Sequence, residues 1–196
     1  MFAKIWEYKW LHLAEREKEL APERLAPLKQ AFAVEPKNFQ TAYEIGEILR
    51  LQSWEGNDDY KKLATEAMEW FDRSIKLNRY DGYSYLRFGM CLDWLDEKEK
   101  AGPYFQRVHQ LDPNGYYTVA HQGWHCVNLG DYAAAKGWFE RSLQLKQKGN
   151  VIAASYLQIV QRKLSETAAE LEKREKTNSV PEPLSRSGPS GGVPSR

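Results

Sequence analysis

The sequence predicts an all-α solenoid of antiparallel helix pairs, and three observations carry that prediction. A spacing of 34 residues recurs through the middle of the chain. Apolar residues step by three or four and never alternate by two, and turn dipeptides punctuate the steps. A fixed period between about 20 and 50 residues marks stacked units, because one helix pair cannot bury its apolar face alone.

The period is carried by particular residues. Phe71, Phe105 and Phe139 follow it, as do Trp70, Tyr104 and Trp138, then Arg73, Arg107 and Arg141, and then Leu77, Leu111 and Leu145. Gly89 aligns with Gly123, Leu95 with Leu129 and Ala101 with Ala135. Small residues at Gly89 and Ala101 let two helices approach closely, while Phe105 and Leu111 fill the space towards the next unit. Gly130-Asp131 and Asp112-Pro113 fall where a helix stops and the chain reverses.

These positions resemble the tetratricopeptide (TPR) family, whose signature W-x2-L-G-x2-Y, A-x3-F and P describes a helix-turn-helix of about 34 residues. The second unit supplies Tyr85, Phe88, Gly89, Leu92, Ala101, Phe105 and Pro113. The third supplies Val119, Gln122, Gly123, Cys126, Ala135 and Phe139, with Gln147 where proline is usual. The first supplies Ala42, Ile45, Gly46, Leu49, Ala67 and Phe71, with Arg79 in the proline position. The resemblance implies a right-handed superhelical TPR solenoid with a C-terminal capping helix.

Register then divides the chain. Residues 1–38 form a degenerate N-terminal repeat ending at Pro36, with a first helix around Trp6, Trp10 and Leu13. Residues 39–149 hold three units. Gly46 and Gly89 are 43 apart, so the first unit carries nine extra residues, including Trp54-Glu55-Gly56-Asn57-Asp58-Asp59. They read as a surface loop, tolerated because a hairpin insertion disturbs only local packing, or as a partner-contacting tip carrying Trp54. The acidic run lacks the alternating ligands and terminal Glu of a calcium loop. Residues 150–176 read as a capping helix on Ala153, Leu157, Val160, Leu164, Ala168 and Leu171. Residues 177–196, twelve of them Pro, Ser or Gly, read as a disordered tail. The helical body is therefore expected over roughly residues 5–175, with no sheet.

Composition excludes several classes of function. Lys plus Arg number 28 against 27 Asp plus Glu, and a net charge of +1 supplies no field for nucleic acid or an anionic membrane. The same balance argues against an RNA-reading helical repeat, which needs a basic surface. Cys91 and Cys126 fall inside helical patterns and read as packed thiols. Lys4, Glu7 and Lys9 interrupt any secretory signal, and no apolar run approaches the roughly 20 residues of a membrane span, so a cytoplasmic location is the default expectation. His121 and His125 share a helical face at a spacing that serves zinc, but no Glu follows the first and no third ligand is apparent; they read as helix-surface histidines. Cys126 and His125, as helix neighbours, diverge by about 100 degrees and cannot act as nucleophile and base. No enzyme chemistry, cofactor or metal is expected.

The TPR resemblance implies that the first helix of each unit lines a concave groove. By register the first unit places Gln40, Tyr43, Glu47, Arg50 and Leu51 there, the second Tyr83, Leu86, Met90, Asp93 and Trp94, and the third Tyr117, Ala120, Trp124, Val127 and Asn128. Arg87 and His121 border the same surface. The family's carboxylate clamp for acidic chaperone tails is absent, since its positions carry Tyr43, Leu86, Ala120, Glu47, Met90 and Trp124. A protein or peptide ligand with apolar or aromatic anchors fits better, with Arg50 and Arg87 available for a single carboxylate. Units two and three also look like the TPR tails of bacterial O-antigen ligases and polymerases. That resemblance implies an accessory tail associated with a membrane-embedded envelope-polysaccharide system, whose chemistry belongs to a membrane domain this chain lacks.

Overall fold

The computed structural model describes residues 2–178, and among these no strand occurs. The chain opens with α1 (Phe2–Ala14), a short 3-10 turn at Pro22–Arg24, and α2 (Leu25–Val34). Three helix pairs follow: α3 (Phe39–Trp54) with α4 (Tyr60–Leu77), α5 (Gly82–Trp94) with α6 (Lys98–Leu111), and α7 (Tyr116–Asn128) with α8 (Tyr132–Leu145). The last helix is α9 (Val151–Asn178). Besides packing on its sequence neighbours, α3 touches α5, α5 touches α7, and α7 touches α9. The first helices of successive units therefore lie side by side, and α9 takes the place of a first helix in a further unit. The expected tail is the Thr177–Arg196 stretch; Thr177 and Asn178 end α9, and residues 179–196 lie outside the described residues.

The helix starts are written locally. Asn38 accepts the backbone N–H groups of Gln40 and Thr41, Asp81 those of Tyr83 and Ser84, and Asp131 that of Ala134. Asn150 does the same for Ala153 at the start of α9 and donates its amide to the Ser142 carbonyl, tying that start to α8. Each cap satisfies donors that the helix cannot, a contribution of about 1 kcal/mol.

One contact repeats in every unit. A Cβ on Gly46 would meet Phe71 Cε1 at 2.8 Å, one on Gly89 would meet Phe105 Cε2 at 3.0 Å, and one on Gly123 would meet Phe139 Cε1 at 2.7 Å. The glycine hydrogen is the space the ring occupies, and all three rings are fully buried beside Ala67, Ala101 and Ala135. The phenylalanines that carry the 34-residue period each make this Gly-Phe contact, which the nine extra residues of the first unit leave intact.

The nine extra residues of the first unit are mostly helix, which corrects the loop reading. Relative to the second unit, α3 is 16 residues against 13 and α4 is 18 against 14, so only two residues lengthen the connection between them. Trp54 is the last residue of α3 and not part of a loop. The physical reason is that a helix pair can lengthen at its open end while every added residue keeps its backbone hydrogen bonds. Among the described residues, no helix is long and apolar enough to cross a membrane.

Candidate functional site

The aligned first helices converge on a pocket of about 210 Å³. Its wall combines Arg50 and Trp54 of α3, Arg87 and Met90 of α5, Tyr117, His121 and Trp124 of α7, and Ile152 and Tyr156 of α9. Six of the seventeen residues that register assigns to the groove or its border are thus brought together: Arg50, Arg87, Met90, Tyr117, His121 and Trp124. Trp54, Ile152 and Tyr156 join them. Register does not reveal the α9 pair, because the sequence pattern reads α9 as a cap, whereas it packs as one more inner helix.

The others sit elsewhere along the same face. Tyr43 and Tyr83 line an adjoining hollow of about 310 Å³ with Phe39, Gln40 and Asp81. Trp94 lies against Trp54 and Tyr60, with ring centroids 6.3 and 5.8 Å away. Asn128 donates to Asp93 Oδ2 at 3.1 Å. Two register-assigned positions face the core, since Leu86 and Ala120 are fully buried. Leu86 packs with Met90, Phe105 and Val108, and Ala120 with Ala135, Phe139 and Val160, so these two fifth-position side chains fill core where Tyr43 faces a hollow.

Beneath the pocket lies a buried charge cluster. Glu47 accepts both Nε and Nη2 of Arg50 at 2.7 Å, a two-point pair with both side chains nearly inaccessible. Arg87 Nε stands 3.2 Å from the same carboxylate, and Arg87 Nη1 donates to the Tyr117 hydroxyl at 3.0 Å. Burial works against the Arg87 charge, but Glu47 outweighs it with help from Tyr43 and Tyr117, and the Arg87 pKa is raised. The Trp54 ring covers the Arg50 guanidinium at 4.2 Å. The expectation of an accessible Glu47, Arg50, Met90 and His121 gives way to four buried side chains that form a floor.

Neither histidine is a helix-surface residue, which corrects that expectation. His121 is 4 % exposed, its Nδ1 lies 2.8 Å from the Tyr117 carbonyl, and burial pushes its pKa down to about 4. His125 stacks on Phe105 at 4.4 Å and holds Nδ1 within 2.9 Å of the Asp93 carboxylate, which also accepts from Asn128. This Asp93-His125-Asn128 bridge ties α5 to α7. The two rings therefore serve different contacts, and among the described residues no group of three or more His, Cys, Asp or Glu could hold a metal ion. Both cysteines are free thiols, Cys91 buried and Cys126 partly so.

An aromatic run, Tyr83 to Tyr117 to His121 to Trp124, follows the face, with neighbouring centroids 6.2, 4.3 and 6.5 Å apart. Together with stacked helix pairs and a Gly-Phe contact in each unit, it defines the architecture. The fold is a TPR solenoid. MamA from Desulfovibrio magneticus RS-1, from residue 41 to its end, superposes with a TM-score of 0.66 at 17% identity, over 92% of this chain and 97% of that one. The thermophilic TPR protein TTC0263 of Thermus thermophilus gives 0.64 at 15% identity, over 69% and 70%. Pseudomonas aeruginosa PilF gives 0.63 at 17% identity, over 84% and 69%. At these identities the likeness is one of fold. No protein-family model and no curated protein matches the chain.

Proposed function

We propose that this chain is a non-catalytic protein-interaction scaffold that holds a peptide or partner surface along the face of α3, α5, α7 and α9. The observation that carries the reading is the pocket to which all four helices contribute, walled by Trp54, Tyr117, Trp124 and Tyr156. Rigid aromatic side chains supply contact area at little entropic cost, which is why they dominate recognition surfaces. Stacked repeats of this fold present such extended concave surfaces to partners. Tyr83, 48 % exposed, and the half-buried Tyr43 extend the aromatic surface beyond the pocket.

The test is capture of partners from lysate on immobilised wild type, Tyr83→Ala, Tyr117→Ala and Trp124→Ala, with a melting curve for each. Partners lost from variants that remain folded support the reading. Undiminished capture by folded variants moves the binding surface away from this face. A second reading, an accessory tail of an envelope-polysaccharide ligase or polymerase system, rests on the sequence resemblance of units two and three and draws nothing from the geometry.

A further inference from the structure

The buried cluster under the pocket is over-charged. Two guanidinium groups, Arg50 and Arg87, share one carboxylate, Glu47, and Arg50 retains a buried Nη1 with no hydrogen-bond partner although its side chain is only 3 % exposed. Burying an unmatched cation is costly, and buried polar groups are otherwise almost always satisfied. The nearby imidazole of His121 is kept neutral by its burial and adds no further positive charge. Both arginines border the pocket, whose other walls are apolar or aromatic. At about 210 Å³ it is smaller than the roughly 300 to 1,000 Å³ of pockets that enclose drug-sized ligands, so it suits one residue-sized group.

We propose that this pocket is an anchor site for one carboxylate of the partner peptide together with the apolar side chain beside it. The carboxylate takes the unmatched donor capacity of Arg50 and Arg87, and the apolar part lies against Trp54, Tyr117, Trp124 and Tyr156. The Trp54 ring is 38 % exposed and sits at the very end of α3, so it is the side chain that turns aside to open Arg50 to the ligand. The inference rests on this face being the binding face and adds the chemistry that selects among partners.

Three probes test it, followed through the indole N–H resonances of Trp54 and Trp124 in the full chain. N-acetyl-phenylalanine carries a terminal carboxylate, N-acetyl-aspartyl-phenylalaninamide a side-chain carboxylate, and N-acetyl-phenylalaninamide none. The expected result is that one acidic probe shifts both indoles and binds about tenfold or more tighter than the neutral amide, an advantage that falls with added salt. Whichever acid binds tighter identifies the carboxylate as terminal or side-chain. Arg87→Met should abolish the preference and Arg87→Lys keep part of it; if Arg87→Met does not fold, the acid-to-amide ratio in wild type decides alone. Equal binding of acids and amide overturns the anion site but leaves an apolar groove. Silence of all three at millimolar concentration overturns the anchor, and if lysate capture still depends on Tyr117 and Trp124 the groove reading survives it.

Discussion

Gly123 and Phe139 lie so close that a methyl group on the glycine would stand 2.7 Å from the ring's Cε1. The ring is fully buried and cannot retreat. Gly123→Ala should therefore destabilise the fold even though alanine is the better helix former by about 1 kcal/mol. Overpacking costs about 1 to 3 kcal/mol, and because a contact this short against a fixed ring lies towards the upper end of that range, a net loss of up to about 2 is expected. Phe139→Leu should partly relieve it. Denaturant melts of both single variants and the double variant check the coupling, and additive effects would contradict the contact.

Asp93 is buried with His125 and Asn128 as its partners. Asp93→Ala removes a carboxylate and leaves the buried His125 and the half-buried Asn128 without their acceptor, which should cost about 3 kcal/mol. Asn128→Ala should cost less, because His125 remains paired. Equilibrium unfolding of the two variants gives the order, and an equal cost would contradict it.

His121 is held near pKa 4 by burial, against an ordinary value of 6.5. The unfolded chain therefore takes up this proton at a higher pH than the folded one. The stability contributed by a neutral His121 is complete above about pH 6.5 and is lost progressively as pH falls towards 4, by roughly 2 to 3 kcal/mol. Wild type should lose more stability between pH 7 and 4.5 than His121→Gln does. Parallel pH curves for the two proteins would remove His121 from the account.

Burial raises the Cys91 thiol to about 12, and raises the half-buried Cys126 less far. The thiolate is the reacting form, so a thiol reagent at neutral pH should label Cys126 slowly and Cys91 only on unfolding. Mass mapping after a timed pulse reads this directly, and early label on Cys91 would contradict its burial.

Asp96 occupies a left-handed turn position, φ 63°, where the equivalent turn after α7 has Gly130 at φ 78°. Both turns close with a backbone bond back to the helix end, Glu97 N–H to the Leu92 carbonyl and Asp131 N–H to the Cys126 carbonyl. Asp96→Gly should relieve strain and raise stability by about 0.5 to 1 kcal/mol, at the loss of an exposed ion pair with Lys98. A lower melting temperature would show that the ion pair outweighs the strain.

The sequence by itself determined the repeat, the helix pairs, the turns at Asp112-Pro113 and Gly130-Asp131, and the identity of most side chains near the groove. These follow from spacing, since a 34-residue period and steps of three or four are properties of one chain read in order. Only the tertiary structure decided depth. Glu47 and Met90 share the ninth position of their units with the half-buried Trp124, Arg50 the twelfth with the half-buried Val127, and His121 the sixth with the half-buried Arg87, so register leaves depth open, and the side-by-side contact of α3, α5 and α7 covers them. Only tertiary structure, too, joined Glu47 to Arg87 across two units, paired His125 with Asp93, turned α9 into a wall through Ile152 and Tyr156, and spread nine extra residues along two helices. Burial and long-range charge pairing depend on distances between helices, and a linear period constrains what repeats without stating how near the repeats stand.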